Sequence, residues 1–195
     1  FFLVDMSAKL PRIEAEVYGY GERLFLGIRG TIREHEWPAA KMKIFKQLLD
    51  RVHEIKRPKN MKLYGLYRKE PDDFQYTACI EICDMHDLPE YMTIVSIPSK
   101  RYAIFKHRGT EEEIEHTRSY IRDLWFPKSE YVEDFDHPWM EIYDPSWTAD
   151  EAPSEFEMGV PVKCRVFGTK EQPSPKGIFS FFHSKKKKSR RSSIG

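Results

Sequence analysis

Short runs of alternating apolar and polar residues cover most of this chain, and two stretches switch to the three-and-four spacing of an amphipathic helix. Residues 23–31, ending Arg29-Gly30-Thr31, and residues 101–110, ending Arg108-Gly109-Thr110, are strand-like runs closed by the same tripeptide 79 positions apart. After the first comes a helical stripe of Ile44, Phe45, Leu48, Leu49, Val52 and Ile55, with Pro38 suited to its first turn. After the second, Thr110 and Glu113 have the spacing of a capping box, with acids at 111–113 near the positive helix end. Ile114, Ile121, Leu124 and Trp125 form its buried stripe, and Pro127 is expected to end it. Each helix is followed by two strand-like stretches, at 61–67 and 76–82 and at 139–143 and 156–163.

Each half therefore reads strand, helix, strand, strand. The pattern predicts an α+β fold of duplicated modules, residues about 14–83 and 92–164. Two antiparallel sheets, each with its helix on one face, would pack about a pseudo-twofold axis and leave a central ligand cleft. Residues 1–13 read as an N-terminal extension, 14–167 as the folded domain and 168–195 as a basic, disordered tail.

Charge changes this picture only at the end of the chain. The net charge of +1 includes Lys185 to Lys188, Arg190 and Arg191, and removing those six cations leaves −5. A mildly acidic body argues against nucleic-acid binding by the folded part, while the tail is expected to contact anionic surfaces weakly. No apolar run reaches the roughly 20 residues of a transmembrane helix. Three cysteines, an odd number in a chain large enough to fold without staples, point to a reducing, cytoplasmic compartment.

The runs Tyr64-Gly65-Leu66-Tyr67, Glu70-Pro71, Tyr76 to Ile82, Ile97-Pro98, Tyr102 to Gly109, Trp125, Pro138 to Tyr143 and Val160-Pro161-Val162 resemble, in this order, the GyrI-like small-molecule-binding family. Its members include effector-binding domains of AraC- and MerR-type regulators, stand-alone drug- or toxin-binding proteins, and hydrolases of cyclopropane-bearing natural products. The resemblance implies a fold of duplicated strand-helix-strand-strand modules. It also implies a stand-alone binding module for aromatic, often cationic, compounds, with a ligand-binding glutamate at the position of Glu141. Residues 1–22 leave no room for a helix-turn-helix.

Strand parity sets Trp139, Glu141 and Tyr143 on one face, and Met140 and Ile142 on the other, which is expected to meet the helix. A carboxylate between aromatic rings suits a lipophilic cation through apolar area and cation–π attraction. By the 79-residue offset Tyr64 mirrors Tyr143 and is expected to line the cleft with Tyr102, Phe105 and Trp125. In the alternative, a hydrolase of cyclopropanoid or similarly strained toxins, Glu141 and Glu81 would manage a water and its proton. Cys79, Cys83 and His86 match no zinc spacing, His107 has no nucleophile arranged beside it, and Gly19-Tyr20-Gly21 lacks the third glycine of a phosphate loop, so no metal or cofactor is expected.

Overall fold

The computed structural model describes residues 14–110, 113–147 and 154–166; the predicted extension 1–13 and tail 168–195 lie outside them. The strand-forming runs become β1 (Ala15–Tyr20), β2 (Arg23–Ile32), β3 (Pro58–Lys69), β4 (Phe74–Ile82), β5 (Thr93–Ile97), β6 (Lys100–Gly109), β7 (Tyr131–Glu133), β8 (Trp139–Tyr143) and β9 (Ser154–Cys164). Three of them, β1, β5 and β7, escape the hydrophobic pattern. The first two are half-exposed outermost strands of the sheet and the third is three residues long.

In place of the two sheets expected, the strands form one antiparallel sheet in the order β1-β6-β9-β8-β3-β4-β2-β5, with β7 also on β9. The order β6-β9-β8 meets β3-β4-β2 at a single seam, where Leu63 to Tyr67 of β3 pair with Tyr143 to Trp139 of β8. Hydrogen bonds across this seam fuse what the pattern alone reads as separate sheets.

The ladders also correct the 79-residue offset. Arg29 and Arg108 obey it, but their partners are Thr77 and Glu155, which are 78 apart. Leu63 lies opposite Ile80 and Glu141 opposite Met158, again 78 apart in each strand. The counterpart of Tyr64 is thus Ile142, not Tyr143, and a slip of one residue turns a strand side chain to the other face.

Helix α1 (Trp37–Arg51) carries Pro38 in its first turn and buries Trp37, Lys41, Ile44, Phe45 and Leu48. Burial of side chains the size of Phe45 or Leu48 is worth about 1.5–3 kcal/mol each. The second helical segment starts as half of the expected capping box, with Thr110 N donating to Glu113 Oε2 at 2.7 Å. It runs as α2 (Ile114–Ser119), a widened π turn (Tyr120–Trp125) and a last turn α3 (Phe126–Lys128). The helix ends at Lys128, one residue past Pro127, and Ser129 is already extended.

Helix α1 packs on the face carrying Tyr76, Glu141 and Tyr143, not on the Met140 and Ile142 face as parity with an apolar rule suggested. Met140 and Ile142 join a second cluster with Phe25, Tyr64, Leu66, Cys79, Tyr102 and Ile104. The sheet curls around that cluster, so that Arg23 of β2 reaches Met140 Sδ of β8 at 3.8 Å. No helix of the described residues is long and apolar enough to cross a membrane.

Candidate functional site

Glu141 lies at the seam, fully buried beneath α1 and α2. The residue paired with it across the seam is Gly65, and this glycine is required by the space. A Cβ there would stand 1.9 Å from Tyr76 Oη and 2.9 Å from Glu141 Oε2. Its absence lets the Tyr76 hydroxyl cross β3 and donate to Glu141 Oε2 at 2.7 Å, and Tyr143 Oη donates to the same oxygen at 2.9 Å.

Two cations converge on this carboxylate. Lys41 Nζ is 3.1 Å from Oε2, and both side chains are fully buried. Arg118 Nη2 lies 3.9 Å from Oε1, beyond hydrogen-bond reach, and 13% of the Arg118 side chain remains exposed. Burial alone would raise the Glu141 carboxyl, but Lys41, Arg118 and the two tyrosine hydroxyls outweigh it and hold it below the usual carboxylate range. Burial also opposes the Arg118 charge, and Tyr67, Glu141 and Glu115 around it more than compensate. The site therefore holds a carboxylate that stays ionised and is already neutralised.

Arg118 links Glu141 to a cavity of about 740 Å³ walled by Trp37, Tyr67, Phe74 and Trp139, whose lining includes Arg118 and not Glu141 itself. The Arg118 guanidinium carbon sits 4.7 Å from the Trp37 ring centroid and 5.2 Å from that of Tyr67. Trp37 stands edge-on to Tyr67 at 5.3 Å and to Phe74 at 4.8 Å. The Trp139 indole donates to Glu133 Oε1 at 2.6 Å, fixing that wall. Burial raises the Glu133 carboxyl, with the indole and Arg122 pulling the other way. On the rim, Pro38, Arg68, Lys69 and Phe135 are exposed.

The predicted residues separate into two groups. Trp139 lines the cavity, whereas Glu141 and Tyr143, on the same face of β8 and joined by the Tyr143 hydroxyl, are buried outside its lining. Phe105 and Trp125 pack against each other at 5.1 Å in the core under the second helix. Tyr64, Tyr102 and Glu81 belong to the opposite face: Tyr64 and Tyr102 sit in the second cluster, with Tyr102 Oη donating to the Pro138 carbonyl at 3.1 Å. Glu81 there accepts Arg23 Nε at 3.1 Å and Nη2 at 2.8 Å, Lys59 Nζ at 2.9 Å and Asn60 Nδ2 at 3.1 Å. Glu81 and Glu141 are separated by the sheet, so they are not brought to one water.

Hydrophobic patterning misses Trp37, Tyr67, Tyr76, Lys41, Arg118 and Gly65. A signal for the cations exists in the sequence. Lys41 falls four residues after Trp37 and three before Ile44, and Arg118 falls four after Ile114 and three before Ile121. Each interrupts an apolar helix stripe at the same place, and a charge on a buried stripe needs a partner.

The curled sheet, the two covering helices and the aromatic cavity beside a buried carboxylate define a ligand-binding domain. Residues 22–163 match the GyrI-like small molecule binding domain, and the chain belongs to that family. Over 73 residues it is 30% identical to the transcriptional regulator BrlR of Pseudomonas aeruginosa, an alignment covering 36% of this chain and 27% of the regulator. The chain thus spans about a quarter of that relative. Its fold is similar to that of SAV2435 in a structure bound to tetraphenylphosphonium, with a TM-score of 0.59, 14% identity and coverage of 77% of this chain and 94% of that one. It is also similar to EcmrR in a DNA complex, with a TM-score of 0.65, 14% identity, and coverage of 81% and 60%.

Proposed function

We propose that this domain binds a small aromatic compound, non-covalently, in the cavity that Arg118 links to Glu141, and acts as a sequestering or sensing module. The observation that carries this is the wall of Trp37, Tyr67, Phe74 and Trp139 around an open space of about 740 Å³, within the size range of small-molecule sites. Flat rings with few fixed hydrogen bonds accept more than one planar shape, which is the physical basis of a multidrug role. The neighbour bound to tetraphenylphosphonium supports binding of bulky aromatic ligands by this fold.

Glu141 serves as the anchor of the site rather than as a bare charge awaiting a cation. Lys41 already pairs with it, and Tyr76 and Tyr143 share the same oxygen. No observation favours the hydrolase alternative, since Glu81 lies across the sheet and Glu141 is held ionised by its neighbours.

The test is titration with the neutral fluorescent probe N-phenyl-1-naphthylamine. Saturable binding at one site per chain is expected, weakened about tenfold by Trp139→Ala, the loss of roughly 1.4 kcal/mol that one aromatic wall contributes. Absence of saturable binding, or equal affinity in Trp139→Ala, would remove the cavity from its proposed role.

A further inference from the structure

Among the described residues two arginines sit in aromatic surroundings, and the difference between them bears on the ligand. Arg23 presents its Nε and Nη2 edge to both oxygens of Glu81, a bidentate pair. Its guanidinium carbon also lies within 5.0 Å of the Tyr20, Phe25 and Tyr64 ring centroids. Arg118 has the same aromatic setting, but its Nε and Nη2 have no hydrogen-bond partner among the described residues. The Trp37 indole Nε1 beside it is in the same state. The Tyr67 hydroxyl adjoins the guanidinium without a hydrogen bond of good geometry. Its carboxylate neighbours stand off, Glu115 at 3.7 Å and Glu141 at 3.9 Å. Ring stacking holds Arg118 in place, so no hydrogen bond opposes a turn of its planar fork.

Charge around the cavity points the same way. The described lining residues include four cations, Arg68, Lys69, Arg118 and Arg122, against two carboxylates, Glu115 and Glu133. Glu115 is shared between Arg118 and Arg122. Outside the lining, the Glu141 charge is matched by buried Lys41. A cation entering this space meets a net positive lining, in which Glu115 is already shared by two arginines and Glu133 already accepts the Trp139 indole N–H. A carboxylate offers acceptors to an arginine fork and an indole N–H that have none, and leaving such donors buried and unpaired is unfavourable.

We propose that the cavity selects aromatic carboxylates, with Arg118 turning its fork to the ligand carboxylate, Trp37 as second donor and the rings of Tyr67, Phe74 and Trp139 around the aromatic part. This rests on the binding role proposed above and names its ligand class. It reverses the preference for cations that a glutamate among aromatic rings suggests when its own partners are not visible.

The experiment is calorimetric titration with 2-naphthoate, 2-naphthylmethylammonium and neutral N-phenyl-1-naphthylamine at equal ionic strength. Wild type is expected to bind 2-naphthoate at least tenfold more tightly than the ammonium. Arg118→Gln should weaken 2-naphthoate at least tenfold more than it weakens the neutral probe. Equal or tighter binding of the ammonium, or unchanged 2-naphthoate affinity in a folded Arg118→Gln, overturns the inference while the binding role stands. If none of the three binds, both fall. The ranking on wild type decides the question even if the variant does not fold.

Discussion

The two faces of the sheet carry the same ingredients in different states of completion. On one, Glu81 accepts from Arg23, Lys59 and Asn60, and Arg23 lies against three aromatic rings, beside a hollow of about 380 Å³. On the other, Glu141 is surrounded by Lys41, Arg118, Tyr76 and Tyr143 beside a cavity of about 740 Å³. Both oxygens of Glu81 have hydrogen-bond donors, whereas Glu141 Oε1 has none among the described residues, and neither do two N–H groups of Arg118 have acceptors. A saturated network offers a ligand nothing it does not already have, and its role is to tie strands together. An unsaturated one, next to open volume, keeps donors that a ligand can satisfy.

The largest effect that separates the two comes from removing each carboxylate's charge. Glu141→Gln leaves Lys41 buried without its counter-ion and is expected to destabilise the fold by about 3–5 kcal/mol in urea denaturation, with part recovered in Lys41→Met/Glu141→Gln. Because the folded state holds Glu141 below its ordinary value of 4.5, the wild-type advantage is fully present above that pH. It is lost as pH falls through the folded value, so melts repeated down a pH series should converge below 4.5. Glu81→Gln also costs stability, but leaves affinity for N-phenyl-1-naphthylamine unchanged. A matching loss of affinity in both variants would erase the distinction between the faces.

Next in size is Gly65→Ala. In most strands alanine gains about 0.5–1 kcal/mol over glycine, but here the added carbon displaces the Tyr76 hydroxyl from Glu141. A hydrogen bond to a buried charge is worth about 1.5–3 kcal/mol, so a net loss of stability is expected. Tyr76 also stacks on Tyr67 at 6.2 Å and 11°, and the displacement should weaken the neutral probe severalfold. A Gly65→Ala variant as stable as wild type would show that Tyr76 contributes nothing through Glu141.

Much of this was legible in the chain, and the failures have a common cause. The strands around Arg29-Gly30-Thr31 and Arg108-Gly109-Thr110, both helices and the buried acid at 141 follow from periodicity and resemblance. The seam does not, because pairing of β3 with β8 joins segments over 70 residues apart and leaves no local mark. Lys41 and Arg118 were visible as charges on apolar stripes, but their convergence on one carboxylate requires both helices to cover the same face. Glu141 therefore reads as an open anion in the sequence and as a paired one in the fold.

Tyr64 shows the same limit at the scale of a single residue, and its effect is the smallest. Matching tripeptides place it opposite Tyr143 in the repeat, yet the ladders shift by one and seat it beside Phe25 at 5.1 Å, under Arg23. Burial raises its hydroxyl, with Arg23 opposing. Tyr64→Phe keeps the ring and should cost no more than about 1 kcal/mol, the ordinary net worth of one hydrogen bond. Affinity for both N-phenyl-1-naphthylamine and 2-naphthoate should stay within twofold of wild type, because the sheet stands between this ring and the cavity. A tenfold loss would mean that the ligand reaches the second face, and that the smaller hollow beside Glu81 belongs to the binding site.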